Sequence, residues 1–359
     1  MKSSNLFRSF FAAAFLSAVF AASADDYYFV ENGIQYEYVY DSSTDSYDYS
    51  KCCVGTLYGA DDYKGDIVIP EKVQNGKVDV VGVANYAFYP SPELTSVVLP
   101  NSILFIGTGA FQECTSLETV DFGAGLKSIG EEAFSNCRSL KSVTIPDNVE
   151  TILQDGFGFC DNLEEVNLGT GLKVLGEFAF EGCDKLKAIT IPDKMETIER
   201  YCVRDCSALE KVVLGNSLKT IEHGVFEGCP NIAEVTSKNP VPPAIEMIDS
   251  RPFDSVVYEE AVLRVPIGSG DAYREAPEWE KFVNIEETEL GGVEGVASDA
   301  VSVTAKGGSI EITGADNARV EVYNLSGQLV HSGTETTVGG LARGIYIVRV
   351  AGQTFKVVL

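Results

Sequence analysis

Six cysteines stand at 114, 137, 160, 183, 206 and 229, each 23 residues after the last. A thiol can pair as a disulfide, bind a metal, or attack as a thiolate. Nucleophilic attack needs a base held beside the sulfur. The chain has two histidines. His223 lies between Glu222 and Gly224, and His331 lies in a separate C-terminal segment. No Ser-His-Asp or Cys-His constellation is expected from them. No phosphate loop or dinucleotide fingerprint is present. Asp41, Asp45 and Asp48 have the residue type for calcium, but their spacing does not match an EF-hand loop, and a solvated turn is expected there. Cys202 falls where other repeats hold Ala110, Ala133 and Ala179, which reads as core filler. Cys52 and Cys53 are vicinal and expected near the surface. The residues that could do chemistry give no catalytic or metal site, so the chain is expected not to be an enzyme and to need no cofactor.

The cysteine spacing instead describes the elements that carry them. Three residues after each Cys come Leu117, Leu140, Leu163, Leu186, Leu209 and Ile232. Six after come Val120, Val143, Val166, Ile189, Val212 and Val235. Fifteen after come Ile129, Ile152, Leu175, Ile198 and Ile221. Twenty after come Phe134, Phe157, Phe180, Val203 and Phe226. Ser91 takes the slot in one earlier repeat. Apolar residues locked to a period in the twenties mark a leucine-rich-repeat solenoid. Each repeat supplies two short alternating stretches and a Gly-x-x-Ala-Phe-x-x-Cys turn, expected as helical or 3₁₀. One coil cannot bury its apolar face, but seven stacked coils can. The cysteine slot then points inward, and neighbouring slots are slightly too far apart for a relaxed disulfide. Buried free thiols are expected.

A second period of 46 residues lies over the first. The ninth position after the slot alternates Pro100, Gly123, Pro146, Gly169, Pro192, Gly215. The fourth alternates Glu118, Lys141, Glu164, Lys187, Glu210, and the thirteenth Lys127, Glu150, Lys173, Glu196, Lys219. Stacked in parallel, these become ladders of opposite charge about 4.8 Å apart. A slip of one coil would set like charges side by side.

The pattern around Ile145-Pro146, Val149, Ile152, Phe157, Cys160 and Leu163 resembles the BspA-like leucine-rich repeats of bacterial cell-surface proteins. The flanks are similar too: Gly65 to Pro70 before the array, and Leu263-Arg264-Val265-Pro266 with Tyr273, Trp279 and Phe282 after it. The resemblance covers roughly residues 27–287 and implies matrix or cell-surface ligands.

Beyond the array, residues 301–359 turn to short strands at 309–313, 319–324, 328–332, 344–350 and 354–359. They suggest a small Ig-like β-sandwich. Val322 to Gln328, Gly344 to Val348 and Lys356 to Leu359 resemble a type IX secretion sorting domain, which implies that export machinery is a partner. The start of the chain reads as a signal peptide: Lys2 and Arg8, the apolar run Phe10 to Phe20, and Ala22-Ser23-Ala24. No later run is long and apolar enough for a membrane helix. The net charge of −26 repels nucleic acid.

The sequence thus describes a mostly β protein with a signal peptide at 1–24, an N-terminal β cap at 25–77 and a repeat array at 78–231. A C-terminal cap at 232–287, a linker at 288–300 and the sorting-type domain at 301–359 follow. It is expected to be secreted or held on the outer cell surface, and to bind a protein ligand in adhesion. The alternative is a structural surface-layer component. Ligand binding is expected on the first-strand sheet, at Ser96, Thr119, Asp121, Ser142, Thr144, Glu165, Asn167, Thr190 and Lys211. These side chains leave a smooth face, with no exposed aromatic or arginine anchor.

Overall fold

The computed structural model describes residues 28–55, 63–247, 250–289, 302–306, 309–313, 320–324, 329–341, 345–350 and 353–358. The expected signal peptide and most of the expected linker lie outside these residues. The chain divides into two units at Thr288 and Glu289.

The first unit is the solenoid. The first stretch of each repeat is a short strand, and these strands stack in parallel. Gly65–Val68, Leu94–Val98 and Thr119–Asp121 form one sheet. Ser142–Thr144, Glu165–Asn167, Ala188–Thr190, Lys211–Leu214, Glu234–Ser237, Val262–Pro266 and Asn284–Thr288 form the next. The central residue of each strand points inward, as period-2 geometry requires. Val97, Val143, Ile189 and Val212 are buried. The second stretches, such as Thr151–Ile152 and Val174–Leu175, stack in the same way.

In the expected caps further strands extend these sheets, and in the C-terminal one they are joined by short helices at Ser255–Glu260 and Gly270–Glu275. Val262–Pro266 and Asn284–Thr288 extend the first-strand sheet in parallel. At the other end Val78–Val83 pairs in parallel with Ser46–Val54. Ser46–Val54 in turn runs antiparallel to Ile34–Asp41. Cys52 and Cys53 are buried, not near the surface, because this strand has a partner on each side. Asp41 serves the turn before it, accepting the Ser43 amide at 2.9 Å, and Asp48, within the strand, accepts the Ser50 amide at 2.9 Å.

The Gly-x-x-Ala-Phe-x-x-Cys stretch is not helical. A helix would spend every amide within the coil. Here amides alternate between the coil and its neighbour. Ala110, Gln112 and Cys114 donate three residues back, to Gly107, Gly109 and Phe111. Gly109, Phe111 and Glu113 donate to Glu131, Ala133 and Ser135 of the next coil. Two left-handed residues per coil make this possible: Gly109 and Glu113, Glu132 and Asn136, Asp155 and Phe159, Phe178 and Gly182. Most are not glycine, so the turn holds strain that its hydrogen bonds must offset.

Inside the turns Phe88, Phe111, Phe134, Phe157 and Phe180 stack with centroids 4.6–5.4 Å apart. Val203 interrupts the column, and Phe226 resumes it on Phe253 at 5.1 Å. Beyond it, Trp279 and Tyr273 close the core end, and the Trp279 indole donates to the Pro243 carbonyl at 2.8 Å. No helix among the described residues is long and apolar enough to cross a membrane.

The second unit holds two antiparallel sheets. Ser302–Lys306, Ser309–Thr313 and Thr337–Val338 form one. Leu329–Gly333, Val320–Asn324, Ile345–Val350 and Gln353–Val358 form the other. Ile310, Ile312, Val320, Val322, Val348 and Val350 share one core.

Candidate functional site

Each coil presents three outer faces: the first strand, the second strand and the turn. On the first-strand face two lanes of side chains flank the buried central lane. Ser142 lies beside Glu165, and Thr144 beside Asn167, in register. Thr190 lies beside Val213, and Lys211 beside Glu234. Thr119, Asp121, Ser142, Thr144, Glu165, Asn167 and Thr190 are exposed. No salt bridge among the described residues involves Asp121 or Glu165.

The two ends of this face differ. Ser96 is half-buried and donates to Asp66 at 2.6 Å, as Thr95 does at 2.8 Å. These bonds hold the Asp66 carboxyl below its ordinary range. Lys211 is also half-buried, with its ammonium 2.9 Å from Glu234. Glu234 takes Arg264 as well, at 3.0 Å, and Arg264 reaches Glu286 at 2.6 Å. Burial pushes the Glu234 carboxyl up, but Lys211 and Arg264 outweigh it and leave it lowered.

Arg264 is therefore an arginine on the expected binding face, beside Thr236, and it is committed to two carboxylates. Reading its strand as a closing cap hid this. The alternation of Leu263, Arg264 and Val265 was the available signal.

Beside this face and on the others, several charged side chains pair across coil boundaries. Lys173 meets Glu150 at 2.7 Å and Lys219 meets Glu196 at 2.8 Å on the second-strand side. Lys141 meets Glu118 at 3.3 Å and Lys187 meets Glu164 at 3.0 Å beside the first strands. The ladders thus resolve into one pair per coil boundary, alternating between sides. On the turn face Arg200 meets Glu177 at 2.6 Å, and Arg204 lies 5.2 Å from the Tyr201 ring centroid. Burial raises the Asp155 carboxyl there, and Glu132, Glu177 and Glu131 add to it.

The cysteines and His223 are held in the interior. All nine cysteines are buried and free. Each slot thiol donates to a carbonyl of the preceding coil. Cys114 reaches Phe88 at 3.3 Å, Cys137 reaches Phe111 at 3.1 Å, and Cys160 reaches Phe134 at 3.3 Å. Burial pushes the Cys114 thiol up to about 12 and raises the others in the ladder, except Cys229, where a bond to Cys206 leads and burial follows. His223 is buried edge-on against Tyr201, centroids 5.1 Å apart. No group of metal-ligating side chains that could hold an ion occurs among the described residues.

The model of the BspA type leucine rich repeat region matches residues 81–174 and 127–258. Among solved structures, a leucine-rich repeat protein of T. pallidum is similar at 22% identity. That alignment covers 71% of this chain and 97% of the other, with a TM-score of 0.41. One from Bacteroides ovatus is 23% identical over 66% of this chain and 70% of the other, TM-score 0.43. A leucine rich cell surface protein from Faecalibacterium prausnitzii is 19% identical over 76% and 97%, TM-score 0.32. No curated protein matches the chain.

Proposed function

The repeat array, residues 81–258, belongs to the BspA-type leucine-rich-repeat family, and from that premise we propose that the protein binds a protein ligand through its first-strand sheet, in adhesion at a cell surface. One observation carries this reading. The exposed lanes from Thr119 to Thr190 hold hydroxyls, an amide and two carboxylates outside any salt bridge among the described residues. On the second-strand side Lys173 and Lys219 are already paired with Glu150 and Glu196, and on the turn face Arg200 is paired with Glu177. Small polar side chains let a partner backbone come close, and strands stacked at about 4.8 Å over seven coils give roughly 30 Å of face. A standard interface of about 800 Å² per partner fits on it. The acidic chain favours a ligand with a basic surface.

The signal-like start and the sorting-like tail support export as the route to that surface, with the tail engaging the export machinery. The test of the binding reading is photo-crosslinking. A photoreactive residue at Thr144 or at Thr197 is compared on a panel of immobilised extracellular-matrix proteins. Crosslinking from Thr144 and not Thr197 is expected. The reverse result would place the contact on the second-strand side.

A further inference from the structure

The first-strand sheet is not one continuous ladder. Leu99, Ile145 and Ile191 each precede a proline, and each gives its amide to the next coil: to Asp121 at 2.9 Å, to Asn167 at 2.8 Å and to Val213 at 2.8 Å. Their counterparts one coil on, Phe122 and Leu168, make no such bond to the following coil among the described residues. The strand register alternates in step. Three residue pairs join Ser96, Val97 and Val98 to the strand Thr119–Asp121, and three join Ser142–Thr144 to Glu165–Asn167. Three more join Ala188–Thr190 to Lys211, Val212 and Val213. Between Glu165–Asn167 and Ala188–Thr190 only Glu165 and Ala188 pair. Thr119–Asp121 and Ser142–Thr144 belong to different sheets.

The 46-residue period is the cause visible in the sequence. A Cβ on Gly123 would stand 2.0 Å from the Pro100 carbonyl oxygen, and one on Gly169 would stand 2.3 Å from that of Pro146. Each glycine coil nests under the proline coil before it. Asn101 and Asp147 tie the same couples, accepting the Ala124 amide at 2.9 Å and the Thr170 amide at 2.8 Å. The array is thus built of couples, with two seams on the first-strand face. Apolar cover thins at each seam. Val120 and Leu168 are only partly buried, while Val97, Val143, Ile145, Ile189 and Ile191 are 2% exposed or less. An exposed carboxylate stands on the near side of each seam: Asp121 at the first and Glu165 at the second.

We propose that the two seams receive successive apolar side chains of one extended basic segment of the partner protein, laid along the solenoid axis. This rests on the first-strand face being the contact. The seams are two coils apart, about 10 Å. A polyproline-type segment rises about 3.1 Å per residue, so apolar anchors three residues apart reach both. A lysine or arginine beside each anchor meets Asp121 and Glu165, and the segment's charge complements the acidic chain.

The experiment uses the full chain and labelled synthetic peptides. One peptide carries two leucines three residues apart, each preceded by lysine. Two others have the same composition with the leucines adjacent or five apart. Affinity is read by fluorescence anisotropy, and location by methyl NMR of Val120 and Leu168. The matched peptide is expected to bind about tenfold tighter than the others and to move both methyl signals. Asp121→Asn with Glu165→Gln, two exposed changes that leave the melt in place, is expected to remove most of that advantage. Binding to the face with no preference for spacing overturns the seam proposal and leaves the surface reading standing. Binding that moves neither methyl and maps to an end of the solenoid overturns both. No binding of the matched peptide at millimolar concentration overturns the seam proposal alone.

Discussion

The Cys160 thiol donates to the carbonyl oxygen of Phe134 at 3.3 Å, across 26 residues of chain and one coil of the solenoid. The same carbonyl takes the Cys137 amide of its own coil at 3.2 Å. The slot therefore needs a small donor, and cysteine supplies a weak one with little polar surface. Burial is the leading cause holding these thiols neutral from Cys114 to Cys206.

Neutral buried thiols react slowly, because the thiolate is the nucleophile. Native full chain treated with iodoacetamide at pH 8 is expected to stay unmodified at the six slot cysteines, and denatured protein to react at all six. Peptide mass spectrometry reads the difference. Modification of Cys137 or Cys160 in the native state, or a disulfide between neighbours, would contradict the packing.

Gly123→Ala is expected to lower the melting temperature by 10 °C or more, roughly 3 kcal/mol of strain in a close-packed contact, since its Cβ would meet the Pro100 oxygen. Gly76→Ala is the control. That glycine has a positive φ but open space around it, so about 1 kcal/mol is expected. Equal shifts in thermal melts would mean that the couple is not nested as described.

Restoring the aromatic column should stabilise the array. Val203→Phe with Cys202→Ala brings this coil to the Ala-Phe pattern of its neighbours and bridges Phe180 to Phe226. About 1 kcal/mol is expected from the added ring contacts. A lower denaturant midpoint would show that the neighbouring Val225 has already taken that space.

The repeat phase, the inward slots and the parallel stacking were all legible, because periodic burial writes itself into residue type. The turn geometry was not. Glu132, Asp155, Phe178 and Tyr201 take left-handed backbone without the glycine that would announce it, since inter-coil hydrogen bonds hold them there. The cap strands were legible as strands but not as continuations of the sheet, so Arg264 and its carboxylates were missed. The seams follow from a hydrogen-bond pattern that no side chain records, although the proline–glycine alternation marks their period.

Asp155→Asn tests the turn-face electrostatics. Its carboxyl is raised in the folded protein, first by burial. Above the ordinary carboxylate range the unfolded chain releases this proton more readily than the folded one, so the group opposes folding at neutral pH. The substitution is expected to raise the melting temperature at pH 7, with the gain fading as pH falls through the raised folded value and gone below the ordinary value of 3.8. Asparagine tolerates the left-handed backbone at this position. A gain that persists unchanged at pH 3 would point to something other than the charge.

The contact face itself is tested by blocking it. Thr144→Tyr with Asn167→Tyr adds bulk at two exposed, register-paired positions and leaves the core untouched. Binding of wild type and variant to the matrix protein that crosslinks from Thr144 is measured by surface plasmon resonance, with melts confirming that both are folded. The account predicts a loss of affinity of at least about tenfold. Unchanged affinity in a folded variant would contradict it.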